Sequence, residues 1–257
     1  MKNNAIYLKV TKDMFWVQMV WAFGVFGVML IIQIGKLILG ANQGDAPDNF
    51  YSSFFIVANF FTFIIGIISI SFLPHYVGNG VTRKDYFKGA SLASIGLAII
   101  LPIIALVISV LTQFILQNVA SMTFKEPNFD SFGSDSNLIG DIIQFLILTP
   151  YVNPENNVIL ALGIFSLNIL MYYLAGWLIG AAFYRFHTII GLGFILLAIV
   201  ILTFENVLVR NTLNLPVLEN YSFIELPVNI AVPVIFLLVI LLIWLIRSLT
   251  KNVTIKM

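Results

Sequence analysis

The chain has 257 residues, of which 60% are hydrophobic and only 10% charged, with a mean hydropathy of +1.01. A soluble chain carries about 25% charge, and this much apolar surface does not fit inside one water-washed core, so most of the protein is solvated by lipid. A formal charge of +1 speaks against nucleic acid as a partner, and the absence of Cys excludes disulfides, thiolate zinc sites and thiol nucleophiles.

A bilayer-spanning helix needs about 20 mostly apolar residues. Residues 1–13 come first, with Ile6, Tyr7, Leu8 and Val10 among Lys2, Lys9 and Lys12. They fit a short interfacial helix or a frayed tail, and they lack the form of a cleavable signal. Six apolar runs follow, at 14–39, 50–72, 86–116, 158–184, 188–204 and 228–246, the fifth being the shortest. Pro102 falls inside the third, where it removes one backbone bond and predicts a kink. The expected fold is an all-α integral membrane protein, with 1–257 forming a single six-span transmembrane domain.

Six crossings put both termini on one side. That side carries ten of the 13 bases: Lys2, Lys9, Lys12, Arg83, Lys84, Lys88, Arg185, Arg247, Lys251 and Lys256. Lys36, Lys125 and Arg210 fall opposite, together with ten of the 12 acids, among them Glu205. Lys and Arg are retained on the cytoplasmic side, so the expected protein is multi-pass in the plasma membrane with cytoplasmic termini. The connection 117–157 is then extracellular. It includes the loop-forming run Asp130-Ser-Phe-Gly-Ser-Asp-Ser and an apolar stretch, 137–148, suited to a small surface helix. Because the fifth run is short, part of 205–227 is expected to dip back into the membrane as a re-entrant segment.

Catalytic signatures are absent. The only Gly-Lys pair, Gly35-Lys36, has Leu30 where a nucleotide-binding loop needs its first Gly, and no HExxH occurs. His75 and His187 sit at separate loops of the basic face and are read as interfacial polar tips. Gly191-Leu-Gly-Phe lacks the acid of an intramembrane aspartyl protease, and the Ser in Gly133-Ser-Asp has no base to activate it. Within the spans Lys36 is the one charge expected, close enough to an end to snorkel. Gln18, Gln33, Asn59, Gln113, Asn168 and Tyr172 either bind helix to helix, the favoured reading, or line a path through the bundle. No metal or cofactor is expected. What survives is a transporter half driven by another subunit, a non-transporting scaffold or sensor, or, more weakly supported, a secondary carrier.

The most informative stretch, Ser71–Lys88, reads SFLPHYVGNGVTRKDYFK between the second and third runs. Gly78-Asn79-Gly80 forms a turn, and Thr82-x-x-Asp85 fits a capping box in which hydroxyl and carboxylate each take a free backbone N–H. Arg83, Lys84, Asp85 and Lys88 make it either a solvated orienting loop or a grip for a soluble partner.

Gly80-Val81-Thr82-Arg83-Lys84-Asp85-Tyr86-Phe87 resembles the Gly-x-[ST]-Arg-x-x-[FY]-[FY] pattern of ABC-2 type permeases, and the six-span topology is similar to theirs. The resemblance implies a type V exporter half-transmembrane domain that binds no ATP itself. It implies a dimer of ABC ATPase subunits as partner and a second permease subunit, identical or not. Arg83 and Lys84 are then expected to meet acids on the ATPase and Tyr86 and Phe87 to fill an apolar groove, with Tyr184, Arg185 and Phe186 as a second contact. More loosely, the chain is similar to permeases of phenol-soluble modulin exporters, which implies amphipathic peptides as substrate. Permeases conferring immunity to antimicrobial peptides are the rival resemblance.

Overall fold

A computed structural model describes residues 6–40, 49–120, 149–216 and 226–254. All regular structure among these residues is helical: α1 (Ile6–Gly40), α2 (Phe50–Ser69), α3 (Phe72–Gly78), α4 (Arg83–Ala120), α5 (Val158–Arg185), α6 (Thr188–Thr212) and α7 (Val228–Lys251). Six helices are long and apolar enough to cross a membrane, α3 continuing the second crossing, and the protein is a multi-pass membrane protein.

The helices outrun the apolar stretches that announce them. α1 begins at Ile6 and runs through the basic segment without a break, so residues 6–13 are neither a separate interfacial helix nor frayed. α4 passes through Pro102 as one helix of 38 residues. The largest correction concerns the fifth span, which reaches Thr212 rather than ending near residue 204. Residues 205–212 are therefore its last two turns and not part of a re-entrant segment. The helix stops where Asn214 adopts a left-handed φ of 54°, with Leu215 N–H donating to the Arg210 carbonyl at 3.0 Å and Asn214 N–H to the Asn211 carbonyl at 3.3 Å. This is a Schellman ending, which relieves the free carbonyls of the last turn. Residues 121–148, including the expected surface helix at 137–148, and residues 217–225 lie outside the described residues.

α5 is the centre of the bundle, packing against α2, α4, α6 and α7, while α1 leans mainly on α4. In α5, residues 171–182 are buried without interruption. The α2–α5 contact is backbone on backbone. A side chain on Gly66 would run into the Tyr173 carbonyl, and side chains on Gly176 and Gly180 would run into the carbonyls of Phe63 and Ile67. Small residues spaced four apart let helices approach this closely in lipid, where association relies on van der Waals contact. Polar pairs reinforce it. Gln18 of α1 donates to Tyr173 Oη at 3.0 Å and to Ser69 Oγ at 3.3 Å, and Asn59 donates to Thr149 Oγ1 at 2.9 Å.

Candidate functional site

The turn between α3 and α4 lies on the face that bears the termini, and local chemistry fixes its shape. α3 ends in a second Schellman motif, with Gly80 at φ 83°, Val81 N–H on the Tyr76 carbonyl and Gly80 N–H on the Val77 carbonyl, both at 3.0 Å. Glycine suits this backbone because it has no Cβ to crowd the carbonyl. Thr82 then caps α4: its Oγ1 accepts from Asp85 N–H at 3.0 Å and donates to Asp85 Oδ2 at 2.7 Å. The expected capping box is thus only half formed. The Asp85 carboxylate accepts from the Thr82 hydroxyl rather than from a backbone N–H, since Asp is one methylene shorter than the usual Glu.

The eight motif residues do not share one environment. Gly80, Thr82 and Lys84 are exposed, as is Lys88 just beyond the motif, and Val81, Arg83, Asp85 and Phe87 are partly covered. Tyr86 is fully buried, and its hydroxyl donates to the Ser69 carbonyl at 2.5 Å. The sequence places Tyr86 beside Phe87 as a surface aromatic. The structure corrects this, because successive helical residues point about 100° apart and Tyr86 takes the inward direction. Its ring meets Trp177 edge to face at 6.3 Å, and Phe87 lies on the same indole at 5.6 Å. Tyr76 of α3 is held to α1 by its hydroxyl, which donates to Asp13 Oδ2 at 2.6 Å.

Tyr184, Arg185 and Phe186 close α5 on the same face. Arg185 Nη1 donates to the Ser248 carbonyl at 2.5 Å and the Leu249 carbonyl at 3.1 Å. It thereby caps the last turn of α7, where a cation also meets the negative end of the helix dipole. Arg247, on that same turn, places its guanidinium over the Phe87 ring at 5.2 Å and Nη1 3.4 Å from the Arg83 carbonyl. The end of α7 therefore sits between the two expected docking segments and is bonded to both.

Between α4, α5, α6 and α7 lies an apolar cavity of about 520 Å³ that opens to the surface of the bundle, where Ile99, Val228 and Phe236 of its lining are exposed. Ala98, Leu167, Val209 and Val232 each represent one wall. The cavity lies in the half of the bundle away from the termini, since its α5 lining begins at Leu160 and its α7 lining at Val228. It abuts a feature missed by the hydropathy pattern: Glu205, Asn206 and Arg210 on α6 are buried, with Glu205 only 1% exposed. Taking the fifth span to end near residue 204 leaves these residues in an outer loop. The signal that places them inside is the helical register through Val209, whose apolar neighbours Val207 and Leu208 continue the span. The span interiors therefore hold ionisable groups in Glu205 and Arg210, whereas Lys36, the one charge expected within the spans, is exposed. Among the described residues no group of three or more His, Cys, Asp or Glu side chains is placed to hold a metal ion.

Comparison with family models, curated proteins and solved structures finds no match to this chain.

Proposed function

We propose that the protein is the transmembrane subunit of an ATP-driven exporter, docked on its basic, terminal face by a dimer of soluble ABC ATPase subunits and paired with a second permease. In this reading ATP is bound and hydrolysed by the ATPase, and the permease converts its closure into movement of spans. One observation carries the proposal: the end of α7 is bonded to both the α3–α4 turn and the end of α5, through Arg247 to Arg83 and Phe87 and through Arg185 to Ser248 and Leu249. A load applied at Arg83 and Lys84 then passes into α4, α5 and α7, three of the four helices that wall the cavity. Tyr86 serves as the internal strut of that coupling, leaving Lys84, Arg83 and the edge of Phe87 as the groups offered to a partner.

The apolar lining favours an amphipathic peptide or lipid-like molecule over a sugar or ion, which needs many polar partners. Export of amphipathic peptides is accordingly the substrate proposal. It predicts that cells lacking the protein retain such peptides, as read by mass spectrometry of cell and medium.

The test of docking is the double reversal Arg83→Glu with Lys84→Glu in the full chain, purified in mild detergent. Loss of charge-assisted contacts at an interface costs about 2–5 kcal/mol when the partner charge is left buried and unpaired. The expected outcome is loss of a co-eluting P-loop ATPase with membrane insertion retained, because Lys9, Lys12, Lys88, Arg185, Arg247 and Lys251 still mark the basic face. Unchanged co-elution would leave the turn with an orienting role only.

A further inference from the structure

Burying a carboxyl group without a partner is costly, and in lipid more so. Glu205 is such a group: it is 1% exposed, and its Oε1 has no hydrogen-bond partner among the described residues. It stands seven residues before the end of α6, about 10 Å inside the helix end at 1.5 Å per residue. Across from it, Tyr172 of α5 lies within electrostatic reach of the carboxyl. One turn before Tyr172 on α5 comes Asn168, also 1% exposed. Its amide N–H₂ is spent on its own helix, donating to the Ile164 carbonyl at 3.0 Å, and its Oδ1 accepts from nothing among the described residues. Two orphaned oxygens therefore occur on two helices packed against each other, and Tyr172, one turn from Asn168 and within electrostatic reach of Glu205, connects them. Both lack the same thing, a donor or a positive charge.

We infer that Glu205, Asn168 and Tyr172 form a buried binding site for one small monovalent metal cation between α5 and α6. A single carboxylate balances one positive charge, whereas a divalent ion would leave a net charge in a dry interior or require more acids. Oxygen-only ligands suit a hard ion such as Na⁺ or K⁺. Among the described residues the other charged groups nearby are few. α7, the second helix packed on α6, has only Arg247 and Lys251, both at its far end. On α6 itself Arg210 lies about 140° around the helix from Glu205, and its Nη1 donates to the Pro216 carbonyl at 2.9 Å. An ion here would neutralise Glu205 and clamp α6 to α5 beside the cavity wall at Val209, tying cation occupancy to the shape of the cavity. This inference does not rest on the exporter proposal.

The test is thermal unfolding of the purified full chain in detergent at fixed pH and ionic strength, titrating NaCl or KCl against N-methyl-D-glucamine chloride. The expected result is a saturable rise in the unfolding midpoint with at least one of the two metal cations, by preferential binding to the folded state. Glu205→Gln, an isostere without charge, should abolish it. Asn168→Ala keeps the carboxylate and should weaken the apparent affinity by about tenfold, the loss of one neutral oxygen ligand. It also keeps the inference falsifiable if the Gln variant fails to fold. No difference among the three salts for the wild-type protein, or the same rise in Glu205→Gln, overturns the inference. So does a midpoint that responds to pH alone, which would mean that a proton satisfies the carboxyl.

Discussion

A buried hydroxyl requires an acceptor, and Tyr86 finds one in the Ser69 carbonyl at the end of α2. The same carbonyl belongs to a residue whose hydroxyl lies 2.5 Å from Tyr173 Oη, so the end of α2 is tied to both α4 and α5. Tyr86→Phe keeps the ring against Trp177 and leaves the carbonyl short of one donor. The expected loss is about 1–3 kcal/mol, seen as a lower unfolding midpoint in detergent. Tyr86→Ala should cost more, about 3–5 kcal/mol, because it also opens a cavity beside the indole. A Phe variant as stable as wild type would show that the hydrogen bond contributes nothing net. At this scale the sequence was only partly legible. The motif Gly80–Phe87 points to a helix start, and its Thr82 cap is where the pattern puts it. Which of Tyr86 and Phe87 turns inward is set by the register against Trp177, a residue 91 positions away from Tyr86, and no local pattern contains that information. Glu205 is the counterpart: an acid next to a short apolar run looks like the start of a loop until the helix is seen to carry it inside.

At the scale of the helix, the contact between α2 and α5 decides whether the bundle forms. Gly176 and Gly180 stand one turn apart against Phe63 and Ile67, and Gly66 faces them from the other side against Tyr173. The obstructing atoms are backbone carbonyls, which cannot rotate away as a side chain can. Gly176→Val should therefore separate the helices rather than repack them. An overpacked core typically loses about 1–3 kcal/mol, and here the displaced helix also strains the Ser69–Tyr173 contact. The check is size-exclusion behaviour and thermal stability beside Gly163→Ala, which has open space around it on α5 and should be near neutral. Equal behaviour of the two variants would refute the close approach. Helix existence was readable throughout, because runs of about 20 apolar residues have no other stable form in lipid. Helix ends were not. Five of the six long helices continue past the apolar run in at least one direction, and α2, which ends at Ser69 inside its run, is continued by α3 to Gly78, since a helix keeps its backbone bonds in water too and ends only where a cap such as Asn214 or Gly80 stops it.

For the molecule as a whole, the distribution of charge makes a claim about orientation that the helices alone leave open. Among the described residues the terminal face gathers Lys9, Lys12, Arg83, Lys84, Lys88, Arg185, Arg247 and Lys251 against Asp13 and Asp85. Of the charges assigned opposite, Glu205 and Arg210 prove to be buried, which subtracts one acid and one base and leaves the asymmetry intact. Retention of Lys and Arg on the cytoplasmic side then predicts that Asn79 faces the cytoplasm and Asn156 the outside. The chain has no Cys, so single substitutions report without background. Both Asn79 and Asn156 are exposed, and neither side chain bridges two helices. Asn156→Cys should react with a membrane-impermeant maleimide on intact cells, and Asn79→Cys only after permeabilisation. The reverse pattern would put the α3–α4 turn outside, out of reach of any cytoplasmic ATPase. It would remove the exporter proposal while leaving the Glu205 site untouched, because a cation held between α5 and α6 depends on their packing and not on which way the bundle faces.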